Sequence, residues 1–196
     1  MSSPIPSTIL EKLFTKARTH KGWQSKPVSD DLLQSIYDLA KWAPTSANSN
    51  PMRIVYVKSE AAKAKLIPAL YGGNVQQVNE APVTAILAYD GKFYDHLPRL
   101  MPAYDARSGF LNHPKLVEET ALRNSSLQGA YFILAARSLG LDVGAMSGFN
   151  NEMVDDLFLK GTTWKSNFIC TLGYGRPEKL YPRGPRFHFH EVAKIL

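Results

Sequence analysis

The sequence predicts a three-layer fold of the α+β or α/β type, with helices packed around one small sheet. Three observations carry that reading. Stretches with apolar residues at helical spacing alternate with only a few short β-branched runs. One long helix, opened by Pro114, has small or apolar residues on nearly every face between Ser125 and Ala136, as a helix does at a fold centre or a subunit interface. The chain has 196 residues, 44% of them hydrophobic, which suits a single domain over 1–196 with one sizeable core.

From Ser7 to Thr19, apolar residues fall at Ile9, Leu10, Leu13, Phe14 and Ala17, a helical spacing, and Thr8 and Glu11 are placed to form a capping box. A second helix starts at Ser29, a good N-cap, with Asp30 and Asp31 in a first turn where the helix dipole favours them. Its apolar face is Leu32, Leu33, Ile36, Leu39 and Ala40. Pro44 ends it, because the residue before a proline is pushed out of helical geometry. RIVYV (53–57) is short and β-branched, hence a strand; residues 59–70 read as a helix, and VTAILAY (83–89), after Pro82, as a buried strand. Residues 90–113 are aromatic-rich and aperiodic, a pattern typical of a functional lid. The long helix closes at Gly140, its C-cap. Residues 150–159 form a helix, 167–175 a strand running into glycines, and 176–196 a basic loop with a short last element.

The formal net charge of +6 favours anionic partners. Lys and Arg are spread along the chain, without the dense basic stripe that nucleic acid requires. The groupings KARTHK (16–21) and RPEKLYPRGPR (176–186) suit one phosphate group rather than a duplex. No apolar run approaches the ~18 residues of a membrane span. The N-terminus lacks a basic region followed by an apolar run, so no secretory signal is expected. One cysteine, Cys170, cannot form an internal disulfide, and a reducing cytoplasm fits.

Several familiar motifs fail on inspection. GYGRPE (173–178) has Glu178 where a dinucleotide fingerprint needs its third glycine. GAMSG (144–148) places its serine one position late for a nucleophile elbow. His188, His190 and Glu191 lack further ligands at metal spacing, so no metal site is expected. Glu118 and Glu119 are adjacent on a helix and point in different directions, and Cys170 reads as a small core residue.

What remains is a set of polar clusters at element ends. Arg18, Thr19 and Lys21 close the first helix, where they either complement its dipole or form a phosphate clamp. The same two readings stand for Arg183 and Arg186. KWAPTSANSNP (41–51) uses far more hydrogen-bonding groups than a plain helix–strand connection of about four to six residues needs.

In this order, these segments resemble the FMN-dependent nitroreductase superfamily over nearly the whole chain. ARTHKGW (17–23) is similar to the opening basic–Ser/Thr–x–basic motif of that family, and APTSANSNPMRIVYV (43–57) to its Ala-Pro-Ser-Ser-x-Asn-x-Gln-Pro-Trp-x-Phe segment. GNVQQVNEAPVTAILAYD (73–90) matches an amide-bearing segment followed by Ala-Pro and a strand. NSSLQGAYFILAARSLGLDVGAMSGF (124–149) matches the central helix, a Leu-Gly-Leu turn and a flavin-facing glycine, and LGYGRPEKLYPRGPR (172–186) the closing basic segment. KWAPTSAN, FYDHLP, DARSGF, EETALRNSSLQGAY and MSGF look most like the malonic semialdehyde reductase branch, associated with pyrimidine breakdown.

The resemblance implies a mixed, mainly antiparallel sheet surrounded by helices, and a homodimer with two FMN sites, each built from both chains. Arg18, Thr19 and Lys21 would hold the phosphate and the pyrimidine edge, with Arg183 and Arg186 completing the phosphate site. Asn74 and Gln76 would reach the ribityl chain or the pyrimidine. Ser147 and Gly148 would lie against the reactive edge, and Pro44, Thr45, Ser46 and Asn48 would come from the other subunit. The cofactor would take a hydride from NADH or NADPH and pass it on in ping-pong order, so no catalytic acid–base side chain is expected. For a carboxylated aldehyde, Arg107 and Arg123 would meet the carboxylate. Asn50 and Met52 stand where the family often has Gln and Trp, and Met146 and Ser147 where a Glu or Pro often flanks the glycine; both departures bear on the substrate pocket. A nitro-aromatic, quinone or enone reductase on the same flavin site is the alternative, and a non-enzymatic nucleotide- or nucleic-acid-binding module a further one.

Overall fold

The β-branched runs pair into a four-stranded sheet in the computed structural model, which describes residues 3–196. The strands are β1 (Met52–Val57), β2 (Val83–Asp90), β3 (Asp142–Met146) and β4 (Trp164–Gly173), in the order β1-β2-β4-β3. All three strand pairings are antiparallel, and an isolated bridge, Thr19 to Val143, adds a parallel contact at the β3 edge. β2 is buried along its whole length, as its unbroken apolar run requires of a central strand covered on both sides.

Side chains alternate across that strand and divide the core into two layers. Ala85 and Leu87 meet Leu33, Ile36 and Ala40 of α2 (Asp30–Ala40) and Phe132, Ala135 and Ala136 of α6 (Pro114–Ser138). Ile86 faces the other way, toward Leu66 of α3 (Glu60–Leu66), Val78 of α4 (Asn74–Glu80) and Val154 of α7 (Asn151–Val154). The result is the expected three-layer α/β/α arrangement. α6 packs tightly on the sheet at Gly129, where an added Cβ would lie 2.5 Å from the Phe168 ring.

Ser29 caps α2 through its side chain, which accepts from the Leu32 N–H (3.2 Å), as the sequence predicts. The first helix differs. It starts after Pro6 as α1 (Ser7–Leu10), so Thr8 lies inside the first turn and no side chain caps it; Glu11–Thr15 then winds wider, with Lys16 N–H reaching Glu11 O. Residues 90–113 contain a turn at Phe93–His96 and the short α5 (Leu97–Leu100). Phe93 anchors them, edge-on to Phe110 at 4.9 Å. α4 and β3 are additions to the sequence reading. The tail carries a single turn, α8 (Phe189–Val192). No helix among the described residues is long and apolar enough to cross a membrane.

Candidate functional site

The residues Arg18 to Lys21 leave the first helix as extended chain along the free edge of β3. His20 N–H donates to Val143 O (3.1 Å), and Thr19 bridges the same residue. Alternation then sorts the side chains. His20 turns inward and is only 6% exposed, while its neighbours Thr19 and Lys21 are exposed. The chain continues inward to Trp23, which bridges Gly175. Gly175 is needed there, because an added Cβ would lie 1.9 Å from His20 Nδ1. Asp142 accepts from Gly175 N–H (2.8 Å) and lies 3.4 Å from His20 Nε2. Burial pushes the His20 pKa down; Asp142 opposes that, and Arg18 and Arg137 reinforce it.

The C-terminal tail lies alongside this loop. Arg18 donates to the Tyr181 carbonyl, Arg183 donates to Ala17 O (3.1 Å), and Lys21 Nζ sits 4.8 Å from the centre of the Tyr181 ring. Three of the predicted cations are thereby gathered. Among the described residues none of Arg18, Lys21 and Arg183 is paired with a carboxylate, whereas Arg53, Lys58 and Arg107 all are. Such a cluster of cations without direct carboxylate partners raises a local positive field. Among the described residues Arg186 donates hydrogen bonds only to the neighbouring carbonyls of Gly184 and Pro185, so the structure does not tie it to the group.

α4 brings the amides to the other end of β3. Asn74 Nδ2 donates to Gly148 O (2.8 Å), which also accepts from Tyr71 N–H (3.0 Å). A Cβ at Gly148 would stand 2.7 Å from Asn74 Nδ2, so a side chain there would displace the Asn74 amide. Among the described residues, the N–H groups of Ser147 and Gly148 have no hydrogen-bond acceptor. Gln76 is exposed and bonded to Glu80 Oε1 (2.8 Å). Its neighbour Gln77 is the buried one, 3% exposed, with contacts to His20, Gly144 and Thr171. Sequence reading missed Gln77, Gly144 and the Tyr181 carbonyl, whose contacts are made across long sequence separations and leave no local pattern.

The polar connection after α2 is held elsewhere. Ser46 N–H donates to Asn124 Oδ1 (2.8 Å), and Met52 N–H to Gln128 Oε1 (2.9 Å), two side chains one turn apart on α6. Asn48 Nδ2 donates to Leu100 O, and Thr45 Oγ1 accepts from Asn50 N–H. Pro44 precedes this turn and is exposed. Among the described residues no hydrogen bond joins Pro44–Asn48 to Arg18–Lys21, so a single chain does not assemble the two groups that way. A cleft of about 1160 Å³ runs beside the connection, lined among others by Tyr37, Trp42, Asn48, Arg53, His96 and Trp164. Within residues 90–113, Arg107 is tied to Asp95 through Nε (3.1 Å) and an Nη (3.0 Å), while Arg123 is exposed on α6. Cys170 is a buried core thiol whose pKa is pushed up by burial.

The chain and its fold have known counterparts. The family model described as the nitroreductase family matches residues 15–174. The chain is 55% identical, over 196 residues and the full length of both, to a Rhodopseudomonas palustris (strain TIE-1) protein provisionally named NADH dehydrogenase/NAD(P)H nitroreductase. A provisionally assigned nitroreductase of Bacillus subtilis superposes with a TM-score of 0.85 at 22% identity, covering 97% of this chain and 100% of its own. Another, from Exiguobacterium sibiricum and solved in complex with FMN, gives 0.84 at 20% identity, covering 100% and 99%.

Proposed function

The chain belongs to the nitroreductase family, and from that membership we propose that it is an FMN-dependent NAD(P)H oxidoreductase that reduces a small carboxylated aldehyde such as malonic semialdehyde. The observation that carries the flavin reading is the gathering of Arg18, Lys21 and Arg183 without carboxylate partners along one end of β3, with unmatched backbone donors at Ser147 and Gly148 past its other end. That donor set fits a ligand with an anionic phosphate at one end and hydrogen-bond acceptors along a flat ring.

In this reading Arg18, Thr19, Lys21 and Arg183 hold the phosphate and the pyrimidine edge, and Arg186 joins them. Asn74 and Gln76 serve the ribityl side. The Ser147 and Gly148 N–H groups donate toward the ring. FMN, when bound, supplies the two-electron chemistry, accepting a hydride from NADH or NADPH and delivering it to the second substrate in the same cleft. The protein binds, orients and supplies positive charge; no side chain has to move a proton on its own account. Pro44, Thr45, Ser46 and Asn48 act on the partner's cofactor in a cytoplasmic homodimer of single-domain chains. Exposed apolar residues support that assembly: Trp42 is 77% exposed, and Leu122, Leu127 and Tyr131 are exposed on α6.

Arg18→Ala is expected to weaken FMN binding by roughly ten- to a hundredfold, the loss of one charge-assisted contact of about 1.5–3 kcal/mol. Fluorescence titration measures it. For the substrate, Arg123 is without a carboxylate partner among the described residues, whereas Arg107 already neutralises Asp95. Arg123→Ala should therefore raise KM for malonic semialdehyde more than Arg107→Ala does. Unchanged KM in both variants, or faster turnover of a nitrofuran than of the aldehyde, would move the assignment to the nitro-aromatic reading that the name of the 55%-identical relative favours.

A further inference from the structure

Gln77 stands one residue beyond the exposed Gln76 and has a different job. Its side chain is 3% exposed, and its Nε2 lies 3.2 Å from His20 O, 3.3 Å from Gly144 O and 2.8 Å from Thr171 Oγ1. Two of these acceptors are carbonyls, which cannot donate, so the NH2 end of the amide must face them. The Thr171 hydroxyl donates to Gly144 O (3.1 Å) and so offers its lone pair to the same amide. The two amide protons serve three acceptors: one is directed at Thr171 Oγ1, the shortest contact, and the other is shared by the carbonyls of His20 and Gly144. One carboxamide joins the loop, β3 and β4, which lie 57, 67 and 94 residues away along the chain.

The packing around it leaves no slack. A Cβ at Gly144 would stand 2.1 Å from Gln77 Nε2, 2.4 Å from His20 O and 2.5 Å from Thr171 Oγ1. With the His20 N–H held by Val143 and its carbonyl held by Gln77, the backbone of His20 is fixed on both sides. In extended chain that fixes where Thr19 and Lys21 project, since both flank His20 and point away from it.

We propose that Gln77 is the positioning residue of the site: its amide holds the backbone carbonyls of His20 and Gly144 together, and so sets the register of the cationic loop against β3. This rests on the FMN reading, and it goes beyond it by assigning cofactor affinity to a side chain that works through two carbonyls. Ionised glutamate in its place would present a carboxylate to two carbonyl oxygens and push the loop away. A protonated glutamate would restore one donor, and burial raises a carboxyl pKa.

Gln77→Glu and Gln77→Met are compared with the wild type and with Asn79→Asp, which adds the same charge at an exposed position of α4. FMN affinity is measured by fluorescence quenching at about pH 9 and about pH 6, a span that brackets the titration of a buried glutamate. Trypsin cleavage within residues 18–21 is followed in the cofactor-free proteins. The expected result is that Gln77→Glu raises the FMN Kd at least about tenfold over wild type at the higher pH and recovers much of it at the lower, as loss and partial return of donors requires. Gln77→Met is weakened equally at both pH values, Asn79→Asp behaves as wild type, and both Gln77 variants are cut faster in the loop. If either folded Gln77 variant binds FMN with a wild-type Kd and shows wild-type loop cleavage, the proposal is overturned. So is it if the variants melt early but show no change in Kd. A wild type that takes up no FMN removes the flavin reading itself, and the cleavage rates, which need no cofactor, tell that failure from this one.

Discussion

Single atoms decide much of this site. Gly144 tolerates no side chain, so Gly144→Ala should cost about 3 kcal/mol, at the upper end of ordinary overpacking penalties, and urea denaturation measures it. Gly73, whose added Cβ would meet nothing within 4 Å, should accept alanine with little change and serves as the contrast. His20 gives a second residue-level expectation. Its folded pKa lies below the ordinary value of 6.5, because burial disfavours the imidazolium more than Asp142 favours it. Protonation therefore favours the unfolded chain. The stability owed to the neutral ring is complete above the ordinary value and is lost as pH falls below it toward the folded pKa. The slope reaches at most about 1.4 kcal/mol per pH unit for one such group. Melting temperature followed from about pH 8 to about pH 5.5 should fall, and His20→Gln should flatten that fall across the window set by an ordinary histidine.

At the scale of elements, the connection between α2 and β1 stores strain that α6 restrains. Ala47, Asn48 and Asn50 all have positive φ, near 50°, 48° and 43°. Asparagine tolerates that region, but alanine does so at a cost of about 1–2 kcal/mol. Asn124 and Gln128 project one turn apart from α6 and hold Ser46 and Met52 in place. Asn124→Ala would leave the Ser46 N–H without its partner and should destabilise by about 1–3 kcal/mol in urea denaturation. The elements with strong local chemistry were legible in the sequence: Ser29 marks the start of α2, Pro114 that of α6, and the apolar run from Val83 is the central strand. α4 and β3 were not. NVQQVNE is too short to display a helical period, and DVGAM holds one β-branched residue; β4 supplies the pairing that makes it a strand. The site divides the same way. Charge and hydroxyl clusters announce Arg18–Lys21 and the 41–51 connection, but Gln77 and Gly144 act through carbonyls dozens of residues away, and no window of sequence contains both partners.

At the scale of the whole molecule, one chain carries two polar groups that no hydrogen bond among the described residues joins: the cationic loop beside β3, and the Thr45–Asn48 turn against α6. A homodimer that brings the turn of one chain to the loop of the other would use both. It would also cover exposed apolar surface at Trp42 and along α6, and it is the assembly we propose. Co-expressing a Lys21→Ala chain with a Ser46→Ala/Asn48→Ala chain should then restore activity that neither variant has alone. The restored activity should approach about a quarter of wild type, because half of randomly paired dimers are mixed and each mixed dimer has one intact site. Absence of recovery in dimers that demonstrably mix would place each site within one chain. The central claim, that unpaired cations beside β3 hold a flavin that NAD(P)H reduces, has a more direct test. FMN is titrated into the purified protein without oxygen, and NADH or NADPH is then added while the visible band of the flavin is followed. The account expects saturable quenching of FMN fluorescence, weaker in Arg18→Ala and Lys21→Ala, followed by rapid bleaching of that band. Unquenched FMN, or a bound flavin that neither nucleotide bleaches, would contradict it.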